Sequence, residues 1–129
     1  MNSMHAHIKY HPSDLPFPFS QAVEVDGILY LSGQVSMAAD ATPIPGSISA
    51  QTELVMGNIS TALKSLGAKL DDIFKVTVWL SDMKHFSEFN KAYAACFSGQ
   101  FPVRSVVSAK LAFELDVEIE VQAVAPRHM

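Results

Sequence analysis

A chain of 129 residues is about one ordinary domain long and can bury well over half of the surface its unfolded form exposes, so a single core over 1–129 suffices. The formal charge is -4 and the nine Lys and Arg are spread along the chain, which leaves no basic field for nucleic acid. Cys96 stands alone, so no internal disulfide forms; a signal peptide's basic start and apolar run are missing, and no stretch reaches the ~20 apolar residues of a membrane span. The expectation is a cytoplasmic protein without a membrane partner.

Residues 1–20 are rich in His and Pro, and Pro12, Pro16 and Pro18 predict a mostly irregular segment. Asp26-Gly27 between the apolar runs 22–25 and 28–31 predicts a tight hairpin, its second strand running to about Met37. A loop follows at 38–46. Leu54, Val55, Asn58, Ile59, Ala62, Leu63 and Leu66 then recur at helical spacing, with Ser47 or Ser49 to cap the start and Gly67 to end it. Ile73 to Leu80 alternates as a strand, with Phe74, Val76, Val78 and Leu80 on one side. Asp82 can cap a second helix carrying Phe86, Phe89, Tyr93 and Cys96 on one stripe. Two strands, 103–111 and 115–125, close the chain around a turn at 112–114.

This order lets each helix cross over between parallel strands, with hairpins at both ends, giving an α+β fold whose mixed sheet carries two helices on one face. Parity sends Leu29, Leu31, Val35, Val76, Val78, Val103, Val107, Val117, Ile119 and Val121 toward the helices. The other parity holds Tyr30, Ser32, Gln34, Thr77, Trp79, Arg104, Val106, Ser108, Glu118, Glu120 and Gln122. That face is too apolar for free solvation and too polar for a dry core, as a subunit interface with a ligand cleft would be. With only 17% of residues charged, closure by a cyclic assembly fits better than a monomer with one wet face.

Several blocks in sequence resemble the RidA/YjgF family: Phe19-Ser20-Gln21-Ala22, Leu31-Ser32-Gly33-Gln34-Val35, Gln51-Thr52, the stretch 70–78, Asn90-Lys91-Ala92-Tyr93, Phe101-Pro102-Val103-Arg104-Ser105 and Val117-Glu118-Ile119-Glu120. Each is a weak pattern, but they come in the family's order over nearly the whole chain. The resemblance implies a chorismate-mutase-like homotrimer around a barrel of sheets, with clefts between subunits. It implies hydrolysis of reactive enamines and imines such as 2-aminoacrylate to 2-keto acids and ammonia, without metal or organic cofactor. Older family names include endoribonuclease and translation inhibitor; the acidic charge argues against RNA as substrate.

By position, Arg104 resembles the family's carboxylate-holding arginine and Glu118 the acid that positions or activates water. Gly33 matches a strand position whose backbone approaches the ligand, and Asn90 a polar residue lining the cleft. The chain departs from the family at Phe19, where the archetype has Tyr, and at Val106, where some members have Cys.

The chemistry agrees with those roles. Guanidinium grips a planar carboxylate with two parallel charge-assisted bonds, and a carboxylate can orient water and take its proton. By residue type alone an interface ion pair with Glu118 or Glu120 is the plainer role for Arg104, and the resemblance turns the reading toward substrate. Glu120 is expected to be structural, Gly33 is open between bulge and ligand approach, and Cys96 is expected to be a buried, inert thiol. His5, His7 and His11 lack the spacing of a zinc site and are read as solvated. A non-catalytic trimer, small-carboxylate-binding or chaperone-like, is the alternative, motivated by Phe19.

Overall fold

The computed structural model describes residues 7–126. The chain enters through β1 (Lys9–Pro12), which pairs antiparallel with β2 (Ser20–Val25). This short strand lies within the segment expected to be mostly irregular: Lys9 to His11 precede the prolines and pair with the hairpin's free edge, and Pro12 sits where the register shifts, a position an edge strand tolerates. β2 turns into β3 (Ile28–Leu31) through Asp26 and Gly27, whose φ values of 50° and 80° are those of the two-residue hairpin turn that Asp-Gly favours.

The predicted long second strand is broken. β3 opposes β7 (Val117–Val124) with Tyr30 against Gln122, whereas β4 (Gln34–Val35) opposes it with Gln34 against Ile119. One extra residue therefore lies in the Leu31–Gly33 stretch, a bulge that reverses the parity beyond it. Val35 consequently pairs with Glu118 and not with a core residue.

Helix α1 (Ile48–Ser65) is capped by Ser47, whose Oγ accepts from the Ala50 N–H at 3.0 Å. Of the two caps read from sequence Ser47 is the one used, and the helix buries Val55, Met56, Ile59 and Leu63. It ends on Gly67 at φ 81°, where the Ala68 N–H reaches back to the Leu63 carbonyl at 2.8 Å. In β5 (Ile73–Leu80) a register shift between Ile73 and Lys75 buries Ile73 and leaves Phe74 38% exposed, the reverse of simple alternation. Asp82 caps a short 3-10 turn at Met83–His85, and α2 (Phe86–Ala94) follows directly.

The sheet order is β1-β2-β3-β7-β5-β6, where β6 is Val103–Ser108. β5 and β6 are parallel, as the α2 crossover predicts. The expected C-terminal hairpin does not form: β7 inserts between β3 and β5, antiparallel to both, because its inward residues Val117, Ile119, Val121 and Ala123 are wholly buried and belong at the sheet's centre. Together with Leu29, Leu31, Val76, Val78 and Leu80 they meet α1 and α2 in one core on one face of the sheet.

Edge strand β6 departs from the parity read in sequence. Both of its parities carry valine, so the alternation Val-Arg-Ser-Val-Val-Ser is ambiguous, and register against β5 decides. Arg104 lies beside Val76 and Val106 beside Val78, both core positions, so Arg104 and Val106 point to the helix side. Val103 and Val107, 67% and 44% exposed, lie on the open face with Trp79 and Tyr30.

Candidate functional site

Arg104 reaches from β6 over the aromatic stripe of α2. Its Nη1 donates to Asn90 Oδ1 at 2.8 Å. The guanidinium carbon lies 5.1 Å from the ring centre of Tyr93, 5.7 Å from Phe86 and 5.9 Å from Phe89. Ring faces attract the cation and hold its planar fork without spending its donors. Tyr93 Oη is buried with no hydrogen-bond partner among the described residues, and burial pushes this phenol up to about 12, although the Arg104 charge draws it down. The ring beneath the cation therefore remains a neutral phenol at physiological pH. Val106, on the same face of β6 as Arg104, is partly buried and packs against the core.

Glu118 stands elsewhere. It projects from the opposite face of β7, with Trp79 on one neighbouring strand and Val35 on the other. Burial raises the pKa of this half-buried carboxyl, and the like charge of Glu120 adds to the rise. A Cβ built on Gly33 would lie 2.5 Å from Glu118 Oε2, so the absence of a side chain at the bulge gives the carboxylate its place. The two alternatives for Gly33 are thus one feature: bulge and close approach coincide.

A cleft of about 730 Å³ opens beside Glu118 and Gly33, walled by Phe17, Phe19 and Phe113 with Asn58 on α1. Asn58, read from sequence as part of the helix's apolar stripe, turns its amide to the Met37 carbonyl at 3.0 Å.

The residues singled out in sequence thus fall into two groups. Phe19, Gly33 and Glu118 share the cleft, while Asn90 and Arg104 meet at α2, with Val106 on the same face of β6 as Arg104. Within one chain the groups are separated by β5 and by the sheet itself, which overturns the expectation that Arg104 and Glu118 share a face. An ion pair of Arg104 with Glu118 or Glu120 of its own chain is ruled out by the same geometry.

Sequence reasoning missed Phe17 and Phe113, which are far apart in the chain and carry no motif, and it read Phe86 and Tyr93 only as core stripe. Burial raises the Cys96 thiol's pKa, with Glu53 adding to it, in keeping with an unreactive side chain. No group of three or more His, Cys, Asp or Glu among the described residues is arranged to hold a metal; His5 lies outside those residues. No helix among them is long and apolar enough to cross a membrane.

Comparison with known proteins identifies the family. The family model described as Endoribonuclease L-PSP matches residues 14–125. The mitochondrial protein MMF1 of Saccharomyces cerevisiae is 43% identical over 107 residues, which span 82% of this chain and 74% of that protein. The 2-iminobutanoate/2-iminopropanoate deaminase of Mus musculus is 32% identical over 109 residues, spanning 84% of this chain and 80% of that enzyme. The crystal structure of E. coli TdcF with bound serine superposes with a TM-score of 0.81 at 27% identity, covering 91% of this chain and 94% of that one. With its family model matched over nearly all of the described residues and its fold superposing on solved relatives of that family, the chain belongs to the RidA/YjgF (L-PSP) family.

Proposed function

We propose that the protein is a deaminase of reactive enamines and imines, hydrolysing 2-aminoacrylate-like intermediates to 2-keto acids and ammonia as a cytoplasmic homotrimer. The observation that carries this reading is Arg104: a half-buried guanidinium held by Asn90 and three rings, whose partner is an amide and not a carboxylate. Such a cation keeps its fork for an anionic ligand. On the open face Val103, Val107 and Tyr30 are exposed and Trp79 half-buried, alternating with Lys75, Thr77, Ser105 and Gln122; this half-apolar face is the seat of a second copy, which would bring Arg104 of one chain to the Glu118 cleft of the next.

In that composite site Arg104 binds the substrate carboxylate and Asn90 fixes the guanidinium. The enamine reacts as its imine tautomer, formed in water by gain of a proton at carbon and loss of one at nitrogen, and Glu118, ionised, accepts a proton from water as the oxygen bonds to the imine carbon. That proton passes to nitrogen, giving the carbinolamine; Glu118 then takes the hydroxyl proton and returns it to nitrogen as the carbon–oxygen double bond forms and the carbon–nitrogen bond breaks, releasing ammonia and the keto acid. Gly33, Phe19 and Val106 shape the walls. The steps are positioning and proton transfer, which require neither metal nor organic cofactor from this chain. The mouse relative's name supports the substrate class, and serine bound to TdcF supports a site for small amino-acid-like carboxylates.

Purified protein added to 2-aminoacrylate generated in situ should accelerate keto-acid release, and Arg104→Ala should remove the acceleration. Equal rates for the two proteins overturn the reading. Phe19 favours one second reading, a carboxylate-binding trimer without turnover, since it brings a ring and no hydroxyl to the cleft. Keto-acid binding lost in Arg104→Ala, with no imine turned over, would establish it instead. The family description's endoribonuclease activity finds no support in a chain of net charge -4.

A further inference from the structure

The wall of the Glu118 cleft is out of proportion to a three- or four-carbon imine. Phe17 and Phe19 stack with ring centres 6.1 Å apart and planes 19° apart, and Phe113 meets Phe17 at 6.1 Å and 50°. Phe113 is 50% exposed and Phe19 39%. The cleft's volume of about 730 Å³ exceeds what a 2-aminoacrylate molecule fills, and lies within the ~300–1,000 Å³ range of pockets that take much larger ligands.

Backbone geometry gives a second and independent indication. Phe113 and Glu114 hold φ values of 60° and 56°, the left-handed region that bulky side chains avoid. A ring held there against its own backbone preference, and half in solvent, is not explained by the core it leaves. Strain of this kind persists where the surrounding structure over-determines it, and it clusters at ligand clamps.

We propose that this aromatic wall makes the protein selective for imino and keto acids bearing a large apolar or aromatic side chain. The inference rests on the shared-site reading above: Arg104 of one copy takes the carboxylate, Glu118 of the other faces the reacting carbon, and the side chain lies between Phe113, Phe17 and Phe19. Burying a substrate ring against these faces removes apolar surface of both partners from water and adds the gain of an offset or tilted ring pair.

Two measurements test it on the full chain. Calorimetric titration should show phenylpyruvate bound about tenfold more tightly than pyruvate, the worth of a favourable ring pair. Imines generated from phenylalanine and from alanine by an amino-acid oxidase should be hydrolysed with the same preference in kcat/KM. Phe113→Gly, which accepts the positive φ, should bring both ratios near one without lowering the melting temperature, and Phe113→Leu should restore part of the preference. Equal affinities, or a preference untouched by Phe113→Gly, overturn the proposal, as they would if a neighbouring copy covers the wall. Turnover of small imines without preference leaves the deaminase standing and removes this inference. Preferential binding without turnover of any imine does the opposite, and binding of neither keto acid overturns both.

Discussion

Arg104 and Glu118 stand on opposite faces of the same sheet, with β5 between their strands. If the two act on one substrate, they must come from different copies. Arg104→Ala and Glu118→Gln should each be nearly inactive alone. Mixed one to one under conditions that exchange subunits, they should recover about one quarter of wild-type activity, because roughly one site in four then draws its arginine from one variant and its glutamate from the other. Rate assays of the mixture check this, and a mixture as inactive as its components would refute shared sites.

Gly33→Ala isolates the placement of the carboxylate. The new Cβ would meet Glu118 Oε2 at 2.5 Å, the end of a flexible side chain that can swing away, so the fold should tolerate the change. The displaced carboxylate should cost roughly 10- to 100-fold in kcat/KM, the effect of misplacing a reacting group by about 1 Å. Thermal melting should shift by only a few degrees while activity falls. Unfolding of the variant, or full activity, would contradict this account.

Glu118 also sets a pH dependence. Its pKa is raised by burial and then by Glu120, so the protonated form is favoured in the folded state. The stability this group confers is therefore complete below the ordinary carboxyl range and is lost as pH rises through the elevated folded value. Glu118→Gln should melt higher than wild type at neutral pH, and the difference should vanish in acid. Since the ionised form takes the proton from water, the wild-type rate should climb with pH through the same raised value. Glu120→Gln, which removes the second cause, should move that limb toward lower pH. Melting curves and pH–rate profiles measured together check the sign.

A polar clamp holds the start of β7. Gln51, 2% exposed, donates through Nε2 to the Gly46 carbonyl at 3.0 Å and to Asp116 Oδ2 at 2.9 Å, and its Oε1 accepts from the Asp116 N–H at 2.9 Å. Asp116 Oδ1 accepts from Ser81 Oγ at 2.6 Å. Gln51→Leu would leave several of these groups without partners and should destabilise the protein by about 3 kcal/mol, since each unpaired buried group costs roughly 1–3 kcal/mol. Urea denaturation should show the midpoint falling with an unchanged slope.

Local chemistry made much of this protein legible in one dimension. Asp26-Gly27 specifies its turn because few residue pairs accept two positive φ values, and Ser47 and Gly67 mark the ends of α1 because a cap and a left-handed stop act within a few residues. The family's ordered blocks named Arg104 and Glu118. What the sequence could not carry was register: the bulge at Leu31–Gly33, the insertion of β7 between β3 and β5, and the face of β6 all depend on partners distant in the chain. A shift of one residue exchanges the two faces of a strand, and Val103, Val106 and Val107 give β6 no hydrophobic preference strong enough to choose. Only pairing with Val76 and Val78 turned Arg104 onto the rings of α2, away from the cleft where Glu118 lies.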